Sequence, residues 1–360
     1  MEYVKVVANE LDPPDELDGL GIPGFLDDLD EPLDLSLWDE PDPPDDLELS
    51  KICLGTMTFG SQVSEAEAAR MVDYALDQGV NFIDTANVYN AGLSEEITGR
   101  ILGSRRSQVV LATKVRGNMG TGDDAYGGLG ADAICRAVDD SLKRLGTDYI
   151  DIYYLHQPDR AVDIYQTLAV MNELVDEGKI RWIGTSNYAA WQVAEMFAIS
   201  EYCRYQAPKL AQPMYNVLAR GIEQEYLACT ERYEITNVCY NPLAGGLLSG
   251  KHSLEGGPLP GTRFDGNQRY LERFWHQEYF QAVEALKRVA GGLGISLAEM
   301  ALRWLCNRDG TDCVILGASK LAHLEQNMAA SQAGPLPEDA LKACDEVWSA
   351  LRGPTPQYNR

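Results

Sequence analysis

The chain has 360 residues, is 45% hydrophobic and carries a net charge of −25 at pH 7. That is ample apolar material for a sizeable core, and no run of about 18 apolar residues offers a membrane span. The acidic balance disfavours nucleic acid and anionic membranes as partners. The opening MEYVKVVANELD lacks a basic stretch followed by an apolar one, so a cytoplasmic protein is expected.

Residues 1–47 read as an N-terminal strand followed by an acidic, Pro-rich insertion. The first fifty residues hold 17 acids against Lys5 alone, so most of the net charge sits there. Two short strand-like runs, MEYVKV and LELSKI, flank the insertion and are expected to pair. The composition suits a solvated excursion, although Phe25, Leu26, Leu29 and Trp38 offer a docking alternative, and with it a protein partner or a homo-oligomer.

Residues 48–360 read as one domain. Eight short apolar runs follow one another: 52–57, 81–86, 109–115, 149–156, 180–186, 210–216, 237–243 and 313–319. Each is too short for a typical helix and rich in β-branched and aromatic residues. The intervening segments have helical periodicity. Ser64-Glu65-Ala66-Glu67 has the form of a capping box. Eight βα units predict a parallel sheet, and eight closing on themselves predict a (β/α)8 TIM barrel. The first βα turn lacks G-x-G-x-x-G, against an open dinucleotide-binding sheet. Two excursions, 117–130 and 251–278, follow the third and seventh strands and should face the catalytic mouth.

Eight cysteines form no C-x-x-C pair, and four histidines stand at no metal-ligand spacing. They predict reduced thiols and no metal site.

Asp84, Tyr89, Lys114 and His156 fall at or just after the ends of strands two, three and four. Singly, each has an ordinary explanation: a cap, a rim aromatic, a surface amine, a core imidazole. Together they suit carbonyl reduction. Hydride attack on a carbonyl builds charge on oxygen, so a proton donor must stand beside it. A lysine cation is expected to lower the tyrosine pKa, an aspartate to balance the lysine, and a histidine to orient the carbonyl oxygen.

The text around these residues is LGTMTFG (54–60), FIDTANVYNAGLSEE (82–96), TKV (113–115), LH (155–156), GTSN (184–187), YNPLAGGLLSGK (240–251), GTRF (261–264) and ILGASKLAHLEQN (315–327). Over roughly residues 48–350 it resembles the aldo-keto reductases, in the branch that includes the potassium-channel β subunits. The resemblance implies Tyr89 as general acid, tuned by Lys114 and Asp84, with His156 orienting substrate. It also implies NADP(H). Ser186, Asn187 and Gln212 would hold the carboxamide and Tyr240 would stack on the nicotinamide, with Thr56, Met57 and Asp84 beside it. Asn241, Pro242, Leu243, Ala244 and Gly245 would wrap the pyrophosphate, aided by Lys251 and Arg263. Gly317, Ser319, Lys320 and His323 would take the 2′-phosphate, and Gln326 and Asn327 the adenine. His323 departs from the family's usual Gln or Arg, and the acidic insertion departs from its tight hairpin.

Met57, Phe59, Tyr126, Tyr188 and Trp275 are expected to wall the substrate pocket with Tyr89 and His156, favouring an apolar or ring-bearing carbonyl. Two other readings stand beside the reductase. One is an NADP(H)-sensing regulatory subunit, although the channel β subunits carry asparagine where this chain has His156. The other is a barrel isomerase or lyase.

Overall fold

The computed structural model describes residues 1–7, 46–119 and 127–354. Residues 8–45 of the acidic insertion, and Tyr126, lie outside the described residues.

Strand β1 (Tyr3–Val6) pairs antiparallel with β2 (Leu47–Ser50), Tyr3 opposite Ser50 and Val6 opposite Leu47, so the two flanking runs do meet. The eight expected strands follow. They are β3 (Ile52–Gly55), β4 (Phe82–Asp84), β5 (Val110–Val115), β6 (Ile150–Leu155), β7 (Ile180–Ser186), β8 (Leu210–Gln212), β9 (Thr236–Cys239) and β10 (Cys313–Leu316). They form a closed parallel barrel in chain order, with β10 hydrogen-bonded to both β9 and β3.

Helices α1 (Glu65–Asp77), α2 (Leu93–Leu102), α3 (Ala131–Leu145), α4 (Ile164–Asp176), α5 (Ala190–Cys203) and α6 (Tyr226–Arg232) each follow a strand. After β9 come α7 (Gln268–Phe274), α8 (Gln277–Gly292) and α9 (Leu297–Cys306). After β10 come α10 (Leu321–Ser331) and α11 (Glu338–Arg352). Their starts are chemically marked. Ser64 accepts from the Glu67 N–H at the head of α1, Asp163 caps α4 and Ser296 caps α9.

Strand side chains alternate between two cores, as the period of two requires. Phe82, Val110, Ala112, Ile152, Tyr154, Trp182 and Leu210 fill the barrel interior, and Val6, Leu47 and Leu49 of the hairpin join that cluster. The alternate residues, among them Ile83, Leu111, Tyr153 and Ile183, pack outward on the helices.

One interior contact requires a glycine. Tyr154 and Gly184 are direct partners in the β6–β7 register. A Cβ at Gly184 would lie 2.4 Å from two carbons of the Tyr154 ring. Overpacking of this kind costs about 1–3 kcal/mol. Gly184→Ala is therefore expected to lower the urea midpoint by a stability loss in that range without changing the slope of the transition. A wild-type midpoint would contradict this packing.

Candidate active site

The alternation that fills the barrel also builds its upper rim. On successive strands the interior parity runs from an apolar residue to a polar one: Phe82 to Asp84, Ala112 to Lys114, Tyr154 to His156, Leu210 to Gln212, Val238 to Tyr240. On β7 it runs from Trp182 through Gly184 to Ser186. All six polar residues line one cleft of about 930 Å³ at the C-terminal ends of the strands. That is the face on which barrel loops converge.

At the centre is a buried ion pair. Lys114 Nζ stands 2.5 Å from Asp84 Oδ2 and donates also to the Thr85 carbonyl oxygen at 2.5 Å. Gln212 donates to the other Asp84 oxygen at 2.6 Å. Burial opposes the ammonium charge, but Asp84 and Tyr89 outweigh it, and the Lys114 pKa stands above its ordinary value.

The Tyr89 hydroxyl lies 3.4 Å from Lys114 Nζ, and the ammonium sits 4.9 Å from the centre of the phenol ring. The expectation that Lys114 brings the Tyr89 pKa below its ordinary value is corrected here. Lys114 pulls it down, but burial is the larger effect and the pKa is raised. Sequence shows which charge stands beside the phenol and not how much water it has lost.

His156 meets Tyr89 edge-on, with ring centroids 6.0 Å apart. Burial, together with the cations of Lys114, Arg269 and Arg116, pushes the His156 pKa down to about 3. The imidazole is therefore neutral at pH 7, one nitrogen donating and the other accepting.

The next residues along the cleft hold one another in place. Asn187, at φ 64°, donates from Nδ2 to Ser186 Oγ and to the His156 carbonyl oxygen, both at 2.9 Å. The Tyr240 hydroxyl donates to Asn187 Oδ1 at 2.7 Å, and Ser186 Oγ to the Gln212 carbonyl oxygen at 3.0 Å. Pro242, Leu243, Gly245, Lys251 and Arg263 also line the cleft, as do Gly317, Ser319, His323, Gln326 and Asn327. Asn241 also lines it, and its Oδ1 accepts from the Gly245 N–H at 2.6 Å, shaping the turn.

Several expected positions do not line the cleft. Ala244 is fully buried in the core. Thr56 is buried and turns its hydroxyl to the Asp84 carbonyl oxygen at 3.1 Å. Lys320 is exposed at the cap of α10. Of the expected substrate walls, Met57, Tyr89 and His156 line the cleft. Phe59 and Tyr188 are buried in the main core. Trp275 packs on His252, Phe264 and Phe280, with ring centroids 5.0–5.5 Å away. None of these three lines the described cleft, against expectation: Phe59 and Tyr188 lie in the core and Trp275 packs half-buried against it.

The structure adds residues that the reading of the sequence missed. Arg269, Tyr270 and Arg273 of α7 line the cleft. Guanidinium carbons of Arg263 and Arg273 lie 5.5 and 5.7 Å from the Tyr270 ring centroid. The i,i+4 spacing of Arg269 and Arg273 on a helix-forming stretch of the second excursion was the available signal. With the Asp84–Lys114 pair set aside, the charged lining among the described residues is cationic: Lys251, Arg263, Arg269 and Arg273.

Residues 51–349 match the model of the aldo/keto reductase family. The chain belongs to that family. It is 38% identical over 324 residues to aflatoxin B1 aldehyde reductase member 2 of Rattus norvegicus, covering 85% of this chain and 87% of that protein. It is 34% identical to aldo-keto reductase family 7 member A3 of Homo sapiens, covering 85% and 96%. It is 35% identical over 299 residues to a probable voltage-gated potassium channel subunit beta of Oryza sativa, covering 81% and 90%. With its family, this aldo/keto reductase is an NADP-dependent oxidoreductase.

The neutral His156 has a consequence for stability. Its folded pKa of about 3 lies below the ordinary 6.5 of the unfolded chain. Above pH 6.5 both states are neutral and nothing is lost. As pH falls from 6.5 towards 3 the unfolded chain binds a proton that the folded one refuses, so stability drops. At about 1.4 kcal/mol per pH unit, the wild type should lose about 2 kcal/mol more than His156→Gln between pH 7 and pH 5. Urea midpoints of both proteins at the two pH values check this, and equal losses would contradict it.

Proposed function

We propose that this chain reduces an aldehyde or ketone to an alcohol with NADPH, Tyr89 serving as general acid and, in the reverse direction, as general base. The observation that carries the reading is the meeting of Tyr89, Lys114, Asp84 and His156 in one cleft whose other charged lining, among the described residues, is cationic.

The residues fit the cofactor. Ser186, Asn187 and Gln212 offer hydroxyl and amide groups suited to a carboxamide, and Tyr240 offers an aromatic face beside them. Lys251 and Arg263, with the Gly245 turn, suit a pyrophosphate. Ser319 and His323 near the head of α10, with Gln326 and Asn327, suit a phosphorylated ribose and an adenine. Four cations suit an anionic, elongated dinucleotide. When bound, the nicotinamide supplies a hydride to the carbonyl carbon.

The protein's own groups do the rest. Neutral His156 donates a hydrogen bond to the carbonyl oxygen and fixes its direction. Tyr89 delivers the hydroxyl proton to that oxygen as negative charge builds on it, which completes the alcohol. Lys114 stabilises the tyrosinate that is left, and Asp84 keeps Lys114 protonated and aimed. The raised pKa of the phenol keeps Tyr89 protonated at neutral pH, the form that a reduction needs.

A regulatory reading has one observation in its favour, the similarity to a potassium channel subunit beta. It predicts tight cofactor binding with slow turnover. The test is fluorescence quenching with NADPH and NADH, followed by a panel of aldehydes and ketones read at the nicotinamide absorbance. Tyr89→Phe is expected to lower kcat by at least a hundredfold while the NADPH dissociation constant stays within twofold. Full turnover in that variant would remove Tyr89 from the reaction.

A further inference from the structure

Behind the wall that carries Lys114 lies a second buried charged pair, outside the cleft. Glu95, in the first turn of α2, is completely buried. Its Oε1 accepts from Thr113 Oγ1 at 2.5 Å, and its Oε2 accepts from Arg144 Nε of α3 at 2.6 Å. Thr113 precedes Lys114 on β5. By strand alternation it faces the helices while Lys114 faces the barrel interior. Glu95 therefore holds, from behind, the side chain of the residue next to Lys114 on β5.

Arg144 reaches the other partner. The turn from Tyr89 to Gly92 carries two non-glycine residues in the left-handed region, Asn90 at φ 51° and Ala91 at φ 54°. Gly92 follows at φ 91°. A Cβ there would stand 2.8 Å from Arg144 Cδ and 2.9 Å from its Nε. The guanidinium arm thus packs flush against the end of the turn that begins with Tyr89. Ser94, beside Glu95, is hydrogen-bonded to Thr56 and Thr85 at the tops of β3 and β4. One helical turn is in this way tied to the strands that hold Asp84 and Lys114, and to the turn that holds Tyr89.

A buried carboxylate is expensive and earns its place only with complete partners. A strained turn persists only where its surroundings over-determine it. Both conditions meet at this spot. We propose that Glu95 and Arg144 are positioning residues for the reaction: their ion pair sets the separation of the Tyr89 hydroxyl from Lys114 Nζ. They touch neither substrate nor cofactor. The inference rests on the reading of Tyr89 as proton donor given above.

Glu95→Gln keeps the shape and removes the charge that holds Arg144. It is expected to lower kcat about tenfold with NADPH affinity, read by fluorescence, within twofold of wild type. As Lys114 and the phenol part, the alkaline limb of the kcat–pH profile should move to higher pH. Amide hydrogen exchange over residues 89–92 should quicken. Arg144→Lys should recover part of the loss that Arg144→Met shows. Thr113→Val removes a single hydroxyl; it should shift the same limb by less, and it reads the same outcome if Glu95→Gln does not fold. A lowered melting temperature with an unmoved alkaline limb and unchanged exchange at 89–92 would overturn the positioning role alone. A wild-type chain that binds NADPH and turns over no carbonyl would remove this inference together with the reading beneath it.

Discussion

The molecule is organised around an ammonium and a carboxylate that are almost wholly buried. Lys114 and Asp84 are both buried at the top of the barrel. Removing two such ions from solvent costs several kcal/mol each, and mutual attraction offsets this only when the remaining donors and acceptors are also satisfied. Here they are. Asp84 accepts from Lys114 and Gln212, and Lys114 donates to Asp84 and Thr85. Those partners come from β4, β5, β8 and the loop after β4. The barrel must close in register for the pair to be stable, and the pair in turn admits few positions for its phenol neighbour.

Around this fixed centre, backbone strain gathers in the loops that leave the C-terminal ends of the barrel strands. Asn90, Ala91, Arg116, Asn187, Asn241 and Ala244 all have positive φ without being glycine. Each lies in the segment that follows a barrel strand, where the chain leaves the sheet. Strained residues persist where neighbouring contacts over-determine them. Asn187 and Asn241 show how: the side chain of each is hydrogen-bonded, one to the His156 carbonyl oxygen and Ser186, the other to the Gly245 amide. The strain therefore lies in loops whose shape the protein's own hydrogen bonds hold.

Much of this was legible in the sequence. The eight apolar runs became the eight barrel strands; Asp84, Lys114 and His156 meet because they share strand-end positions and interior parity, and Tyr89 joins them from the turn after β4. Parity is a local property, so it can be counted. What could not be counted was packing across long connections. Phe59, Tyr188 and Trp275 are near strand ends or in late loops, as pocket walls would be, yet the first two are buried in the core and Trp275 packs half-buried against it. A core position and a rim position ask for the same large apolar side chain, and only the tertiary contacts separate them. Arg269 and Arg273 were missed for the converse reason. Their helix, α7, lies in a 28-residue excursion in which Phe264, Tyr270, Phe274 and Trp275 cluster, and the i,i+4 spacing was their one mark in the sequence. The direction of the Tyr89 pKa shift failed on the same ground. The neighbour was readable, the depth of burial was not.

Charge is distributed with a similar division of labour. The chain as a whole is strongly anionic, and 17 of its acids fall in the first fifty residues. The hairpin flanking that stretch packs with the interior core, which lies beneath the layer of Asp84 and Lys114. The described cleft is the reverse: apart from the Asp84–Lys114 pair, its charged lining among the described residues is Lys251, Arg263, Arg269 and Arg273. A low-dielectric cleft of one sign focuses its field outward and raises the local concentration of oppositely charged ligands, an effect that falls steeply with salt. The net charge of a protein is thus a poor guide to what its site attracts. In this reductase the 17 acids of the first fifty residues and the four cleft cations lie far apart along the sequence.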